Sequence, residues 1–313
     1  MMKNLAPIIL FAYNRPYHTQ ETLHYLSQNI LATESILIVY CDGAKQDATD
    51  ENKLKIKQVR ELVNAQKWPK EIYVIESETN KGLANAIIGG VREVTEKYGK
   101  AIVLEDDIIT STYFLQYMND ALNVYENDEQ VLSIGACNFF AHDEITPETF
   151  FIPIPDCWGW ATWKNRWLLF EEDGSKLLKQ LQDKNLIHSF NIEGAYDFEQ
   201  MLKDQIEGLN NSWAIRWQAL AYVQNKLALY PRFAQSHNIG FDADATHTKE
   251  YAEIFSTKAY LHQKIKVTKN EVLLLPQVFL QMKKGYALSA AGNNQTPFVK
   301  RILSFLKRKI KIS

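Results

Sequence analysis

Short apolar runs alternate with amphipathic helical stretches through the first 140 residues of the chain. Runs of this length that are apolar almost throughout are typical of strands buried on both faces of a parallel sheet. The predicted strands are Pro7–Ala12, Ile36–Tyr40, Glu71–Ile75, Ala101–Leu104 and Val131–Gly135. This alternation predicts an α/β domain with a mostly parallel sheet and helices on both of its faces.

Helices with one apolar face separate these strands, and the pattern becomes less regular beyond residue 140. Four helices are predicted. The first carries Leu23 and Leu26, the second spans about 50–66, the third begins at about 80–83 and ends at Gly99, and the fourth spans about 114–125. In the second half, a helical stretch at Phe198–Ile206 leads to Trp213 and Trp217. Their i, i+4 spacing favours core packing, and a polar loop at 237–242 follows.

Three consecutive carboxylates, Glu105-Asp106-Asp107, directly follow the predicted strand Ala101–Leu104. Adjacent like charges repel, and their burial is costly unless a cation or a hydrogen-bond network offsets them. A divalent cation with oxygen ligands is the simplest such partner. Ligands of open α/β sheets bind at the carboxyl ends of the strands. The cluster therefore predicts an active-site metal, and the plain alternative is a solvated turn.

Composition and charge exclude some classes of function. The chain has 313 residues, 46% of them hydrophobic, which is enough for a full core in one large domain or two. Its formal net charge of −2 gives no overall basic field, so nucleic acid is not an expected partner. Cys41, Cys137 and Cys157 lack metal-site spacing and predict reduced thiols of an intracellular protein, with a single disulfide as the alternative.

The two ends of the chain bear on its location. The apolar stretch Leu5–Ala12 is too short for a signal peptide and has no small-residue cleavage site after it. Nowhere does the sequence reach the roughly 18 uninterrupted apolar residues of a membrane helix. Residues 296–313 predict a helix with one apolar and one basic face, of the kind that lies on anionic membranes. We therefore expect a cytoplasmic protein, peripheral at the inner face of the membrane; a solvated, frayed end is the alternative for this segment.

The order of these motifs resembles that of glycosyltransferases of the GT-A fold, which use nucleotide-diphospho-sugars. The stretch Ala101–Tyr125, a strand followed by Glu-Asp-Asp and an aromatic helix, is similar to N-acetylglucosaminyltransferase I and to bacterial surface-glycan transferases of the family-2 type. The segments Leu10–Arg15, Val39–Asp42 and Trp158-Gly159-Trp160 agree in order. The resemblance covers about the first three quarters of the chain and implies a GT-A, Rossmann-like fold.

The resemblance also implies roles for particular residues. Arg15 would approach the base or phosphates of the nucleotide, and Asp42 its uracil or ribose. Asp107 would bind Mn²⁺ or Mg²⁺, which holds the pyrophosphate, while Glu105 and Asp106 would support the ribose and the water shell of the metal. Further donor residues would be Lys81, which lies in an Asn-x-Gly helix entry, and Trp158, Gly159 and Trp160, which resemble a loop lining the donor sugar and the acceptor.

A histidine and a catalytic base complete the implied site. His247 resembles the C-terminal histidine that some GT-A enzymes place on the metal or pyrophosphate, and His237 is the alternative. Inverting members carry a general base just before the tryptophan that corresponds to Trp213, but here that position is Asn211. An amide is a poor proton acceptor, which leaves three alternatives: the alignment is out of register, the base lies elsewhere, or the mechanism is not inverting. For a base elsewhere, Asp204 ranks ahead of Glu207.

The sequence thus predicts a metal-dependent hexosyl- or N-acetylhexosaminyltransferase. Its donor would be a UDP-sugar, and its acceptor a glycan or lipid-linked glycan of the bacterial surface. The catalytic domain would span 1–250, divided near residue 140 into a nucleotide part and an acceptor part, with an extension at 251–295 and the basic segment at 296–313. A catalytically silent glycan-binding or scaffold protein of the same fold is one alternative. A sugar nucleotidyltransferase is another, but the loop at 13–16 lacks the glycines expected of that class.

Overall fold

The computed structural model describes residues 5–141, 143–144, 146–240 and 263–291. In these parts the strands are β1 (Ile8–Ala12), β2 (Ile36–Cys41), β3 (Glu71–Glu76), β4 (Lys100–Glu105), β5 (Ile108–Thr110), β6 (Val131–Gly135), β7 (Thr149–Ile152), β8 (Trp160–Trp163), β9 (Leu227–Pro231) and β10 (Ser236–Asn238). The α-helices are α1 (Pro16–Ser27), α2 (Asp50–Asn64), α3 (Leu83–Tyr98), α4 (Phe114–Val124), α5 (Lys164–Trp167), α6 (Gly174–Asp183), α7 (Ile187–Phe190), α8 (Phe198–Ile206), α9 (Trp213–Val223) and α10 (Pro276–Ala291).

Eight strands form one mixed sheet in the order β3-β2-β1-β4-β8-β6-β9-β7, and β5 pairs with β10 in a separate two-stranded sheet. The four strands β3, β2, β1 and β4 are parallel neighbours. Strand β8 runs antiparallel between β4 and β6. The predicted fold class, a mostly parallel α/β sheet flanked by helices, is confirmed and is consistent with the GT-A fold.

The two faces of the sheet carry separate cores because side chains alternate along each strand. On β1, Ile9 and Phe11 join the core that includes α3 and α9, whereas Ile8 and Leu10 join the core that includes α1, α2 and α4. All four side chains are almost completely buried. A strand buried on both faces reads as a continuous apolar run, which is why the sequence predicted β1 to within one residue at each end.

The parallel arrangement brings the carboxyl ends of β1, β2 and β4 to one edge of the sheet. The chain leaves these ends through 13–15, 42–43 and 106–107. Pro16 at the first turn of α1 follows β1 directly. This edge therefore collects the loops in which the sequence analysis placed its main candidate residues.

The second half contains short elements that the sequence analysis did not predict. Strand β8 occupies the tryptophan-rich segment, and β10 lies in the segment predicted as a polar loop. Helix α8 has the predicted bounds. Helix α10 lies within the predicted extension, whereas His247 and the segment 296–313 lie outside the described residues. Among the helices that the structure describes, none has the length and apolar character needed to cross a bilayer.

Candidate functional site

Asp106 and Asp107 form the tight turn that links β4 to β5. They are 7% and 2% exposed, while Glu105 is half-buried. The backbone N–H of Tyr13, which follows β1, donates to Asp106 Oδ2 at 3.2 Å. The hydroxyl of Thr22 on α1 donates to the Asp106 carbonyl at 3.0 Å. The acidic cluster is therefore a buried turn that neighbouring elements hold in place.

Arg15 supplies the positive charge that faces this turn. Its Nη1 lies 2.6 Å from Asp107 Oδ2, and its side chain is 23% exposed. Burial lowers the pKa of the Arg15 guanidinium, but the neighbouring carboxylates, Asp107 foremost, outweigh burial and raise the pKa above its ordinary value. Removal of either partner would weaken the compensation of the other charge in a partly buried setting, which is unfavourable.

The carboxylates of the turn suit a divalent cation that takes few ligands from the protein. Within the described ranges, no group of three His, Cys, Asp or Glu side chains could hold a metal ion. Mg²⁺ commonly uses one or two carboxylates and completes its shell with water and substrate phosphates. Asp107, with Asp106 beside it, matches this mode of binding. The site thus fits a cation that binds together with a phosphate-bearing ligand.

The segment 236–240 packs against the turn from another side. Strand β10 pairs with β5 so that the buried His237 lies opposite Ile109. Beyond the strand, the backbone N–H of Ile239 donates to the Asp107 carbonyl at 2.9 Å. A Cβ placed on Gly240 would collide with Asp107 Oδ2, so the close approach of the chain requires glycine there. The segment is a wall of the site.

Trp158 and Gly159 contact this same wall. The hydroxyl of Ser236 donates to the Trp158 carbonyl. Gly159 has a φ of 92°, in the left-handed region that favours glycine, and its carbonyl accepts from the N–H of Ala136 at 3.0 Å. Trp158 itself is half-buried. The structure therefore brings the predicted sugar-lining loop next to β10, the strand that precedes the Ile239 contact with Asp107.

Asp42 lies at the same edge of the sheet, but its carboxylate binds backbone groups of the chain. Its Oδ1 accepts from the N–H groups of Gly43 at 2.9 Å and Lys81 at 2.8 Å, and its Oδ2 accepts from the N–H of Gly82 at 3.0 Å. Gly82 precedes α3, and a negative charge is favourable at a helix N-terminus. Asp42 thus ties the end of β2 to the start of α3, and Lys81, whose side chain is exposed, participates through its backbone.

Asp156 is a residue of this region that the sequence analysis missed. Its Oδ2 accepts from the N–H groups of Ala136 at 2.8 Å and Cys137 at 2.7 Å, and its Oδ1 accepts from that of Trp158 at 2.9 Å. Burial raises the pKa of Asp156 to about 6, although these donors lower it. The carboxylate joins the end of β6 to the sugar-lining loop. One signal was present in the sequence, because Asp156 is the only charged residue in the run 150–163.

Trp160 points into the core. Its ring centroid lies 5.0 Å from that of Trp213, in a stacked arrangement, and 5.3 Å from that of Trp167. Trp217 contacts Trp167 at 4.9 Å between centroids. All four rings are at least 96% buried. Trp213 and Trp217 therefore pack in the core as predicted, and the ring of Trp160 packs with them.

The two candidate catalytic residues lie in the helical layer of α6, α8 and α9. Asp204 on α8 is 6% exposed, and its Oδ1 accepts from Gln200 Nε2 at 2.8 Å. Asn211 is exposed and immediately precedes Ser212, whose hydroxyl caps α9. The structure brings Arg15 and the acidic turn together, but these two residues belong to a different layer of the fold. The general base stays a prediction.

Comparison with known proteins adds solved structures of low similarity. No family model matches the chain, and no curated protein matches its sequence. Mouse xyloside xylosyltransferase 1 in its apo form is 9% identical with a TM-score of 0.42, over 83% of this chain and 96% of that one. UDP-glucose pyrophosphorylase complexed with UDP-glucose is 12% identical with a TM-score of 0.39, over 82% and 98%. TarS of S. aureus is 16% identical with a TM-score of 0.26, over 39% and 20%. All three TM-scores are below 0.5, so these likenesses are distant.

Proposed function

We propose that this chain is a glycosyltransferase that moves a sugar from a nucleotide-diphospho-sugar, a UDP-sugar, to a hydroxyl of a glycan or lipid-linked glycan. The observation that carries the proposal is the Arg15–Asp107 pair at the carboxyl edge of the parallel strands. Sheets of this class bind their ligands at that edge. A partly buried cation beside buried carboxylates offers positive charge to a diphosphate and negative charge to its counter-ion.

The proposed reaction breaks the bond between the anomeric carbon and the diphosphate. The acceptor hydroxyl attacks that carbon, the bonding electrons leave with the nucleoside diphosphate, and the hydroxyl proton passes to a base. Arg15 would pair with diphosphate oxygens, which match the fork of a guanidinium, and would stabilise the charge that develops there. Mn²⁺ or Mg²⁺, held by Asp107 with support from Asp106, would supply further neutralisation of the leaving group.

The wall of the site would position the sugar. Trp158 would pack on an apolar face of the sugar ring, and Gly159 would let the sugar approach the backbone closely. Asp156, which holds this loop through its carboxylate, would act as a positioning residue. The nucleotide part of the domain would reach to about residue 140, and the basic segment 296–313 would hold the enzyme on an anionic membrane where a lipid-linked acceptor is made.

A catalytically silent glycan-binding protein is the second candidate. It is favoured by the state of the two candidate bases, because Asp204 is buried and hydrogen-bonded to Gln200, and Asn211 carries an amide. A binding protein would take up the donor without turnover. Quantification of UDP released from UDP-sugars in the presence of acceptor glycans separates the two candidates.

Calorimetric titration with UDP, with and without Mn²⁺, tests the nucleotide site. We expect Mn²⁺-dependent binding that Asp107→Asn weakens at least about tenfold, since the carboxylate charge is lost while the shape is kept. Asp50→Asn, on the exposed first turn of α2, is the matched control and should bind as the unaltered protein does. Equal binding by the Asp107 variant, or no binding of UDP under any condition, would contradict the proposal.

A further inference from the structure

A divalent cation bound by Asp107 would compete with Arg15 for the same carboxylate. The Nη1 of the guanidinium is 2.6 Å from Asp107 Oδ2, and Gly240 lies so near the same oxygen that an added Cβ would collide with it. A cation that approaches Oδ2 would therefore meet the guanidinium, and two cations on one carboxylate repel each other. Asp107 would therefore bind each of the two cations less tightly in the presence of the other.

We propose that Arg15 is a placeholder cation, which Asp107 holds in the absence of nucleotide and releases to the diphosphate of the donor. Its departure opens Asp107 to the divalent cation. Binding of the nucleotide would then strengthen binding of the cation, and binding of the cation would strengthen that of the nucleotide, because Arg15 moves from Asp107 to the diphosphate. This inference rests on the proposed function and assigns it a mode of control.

The local structure lets the side chain of Arg15 move while its backbone stays in place. The Arg15 carbonyl accepts from both the N–H and the hydroxyl of Thr19 at 2.9 Å, and Pro16 fixes the first turn of α1. The long guanidinium arm can therefore turn about an anchored Cα. The Nη1 of Arg15 lies 2.6 Å from Asp107 Oδ2, and two phosphate oxygens would offer its planar fork a bidentate partner.

The exchange predicts a measurable coupling between ligands. When nucleotide removes Arg15 from Asp107, the affinity for the cation rises, and by linkage the cation raises the nucleotide affinity by the same factor. We expect a factor of about ten or more, within the usual range of such couplings. Without nucleotide, the cation should bind weakly because the guanidinium occupies its carboxylate.

Electron paramagnetic resonance of Mn²⁺ tests the exchange without any catalytic assay. Mn²⁺ is titrated into the full chain alone, with UDP and with inorganic pyrophosphate, in the unaltered protein and in Arg15→Gln. We expect Arg15→Gln to bind Mn²⁺ at least about tenfold more tightly in the absence of nucleotide and to reduce the coupling to about threefold or less. Arg60→Gln is the matched control, because Arg60 is 27% exposed and also paired, at 3.1 Å, with Glu76.

Each outcome has a defined meaning. An Arg15→Gln protein whose Mn²⁺ affinity without nucleotide is unchanged or weaker overturns the exchange, even if UDP binds normally. Absence of UDP and Mn²⁺ binding in the unaltered protein would instead contradict the proposed function. If Arg15→Gln does not fold, Arg15→Lys keeps a charge for Asp107 without the fork, and its coupling should be lower than that of the unaltered protein. Unchanged coupling in that variant also overturns the exchange.

Discussion

The Asp156 carboxylate accepts a hydrogen bond from the backbone N–H of Cys137 at 2.7 Å, at the point where β6 leaves the sheet. Burial raises the pKa of three tyrosines from other elements, and the charge of Asp156 adds to the rise for each: Tyr117 on α4, Tyr230 on β9 and Tyr286 on α10. A buried acid whose ionisation is this costly is more common at functional sites than elsewhere. The Asp156 carboxylate thus joins the end of β6 in the central sheet to the loop that carries Trp158, beside the acidic turn.

Asp156→Asn should change how stability depends on pH. The pKa of Asp156 is raised from an ordinary 3.8 to about 6 in the folded state, so the unfolded chain loses this proton first as pH rises. The favourable contribution of the protonated group is complete below pH 4 and is lost as the pH rises through about 6. The unfolding free energy of the unaltered protein minus that of the variant should therefore fall by about 3 kcal/mol over this window. Urea unfolding at several pH values measures it, and a flat difference would contradict the assignment.

Asp42→Ala should destabilise the protein by about 2 kcal/mol, because three backbone N–H groups lose their acceptor, those of Lys81 and Gly82 before α3 and that of Gly43 after β2. Asp50→Ala, at an exposed carboxylate, should change stability little. Urea unfolding compares the two variants. A parallel UDP titration tests the predicted nucleotide role of Asp42, since a loss of affinity in the folded variant would support direct contact. Equal stability of both variants would refute the structural role.

Gly159→Ala should cost more stability than Gly99→Ala. Both glycines have positive φ, 92° and 80°, but of the two only Gly159 would bring an added Cβ against other atoms, at 3.2 Å from Ser236. A positive φ costs an alanine about 1–2 kcal/mol, and crowding adds to this at Gly159. Thermal unfolding ranks the variants. The reverse order would show that the loop at 158–159 relaxes without penalty.

Trp213→Ala should mainly lower stability, whereas Trp158→Ala should mainly lower the affinity for the donor. Trp213 is 4% exposed and stacks on Trp160, so its truncation should cost about 3–5 kcal/mol. Trp158 is only half-buried, so its truncation should cost less stability and weaken sugar-nucleotide binding instead. Urea unfolding and calorimetric titration with UDP-sugars provide the two readouts. A Trp158 variant with normal donor binding would remove this residue from the proposed site.

Sequence pattern was most informative where strands are buried on both faces and least informative where strands are short. Strands β1 and β4 show continuous apolar runs, so their bounds and the acids after them could be read directly. Strand β8 has four residues, and its pairing with β4 joins positions about 60 apart in the chain. Pairing over such a separation depends on the whole sheet and leaves little local signal. The same reason explains why β10 was predicted as a loop.

The candidate site also contains features that the sequence predicted and features that it did not. Arg15 and Asp107 each follow a predictable strand, so their residue types and their common edge could be inferred from sequence alone. Asp42 binds three backbone amides, and Trp160 packs in the core. Both contacts depend on the direction of a side chain, which the spacing of residues in the sequence does not reveal. Asp156 was missed because its partners Ala136 and Cys137 lie about 20 residues away.

By itself, the sequence determined the α/β class, the parallel strands and the acidic turn at the end of β4. These follow from local apolar periodicity and from residues adjacent in the chain. Only the tertiary structure decided that Arg15 pairs with Asp107 across 92 positions and that β10 closes on the turn. Contacts of this kind arise from the packing of distant elements, and local sequence pattern does not encode which buried charge meets which partner.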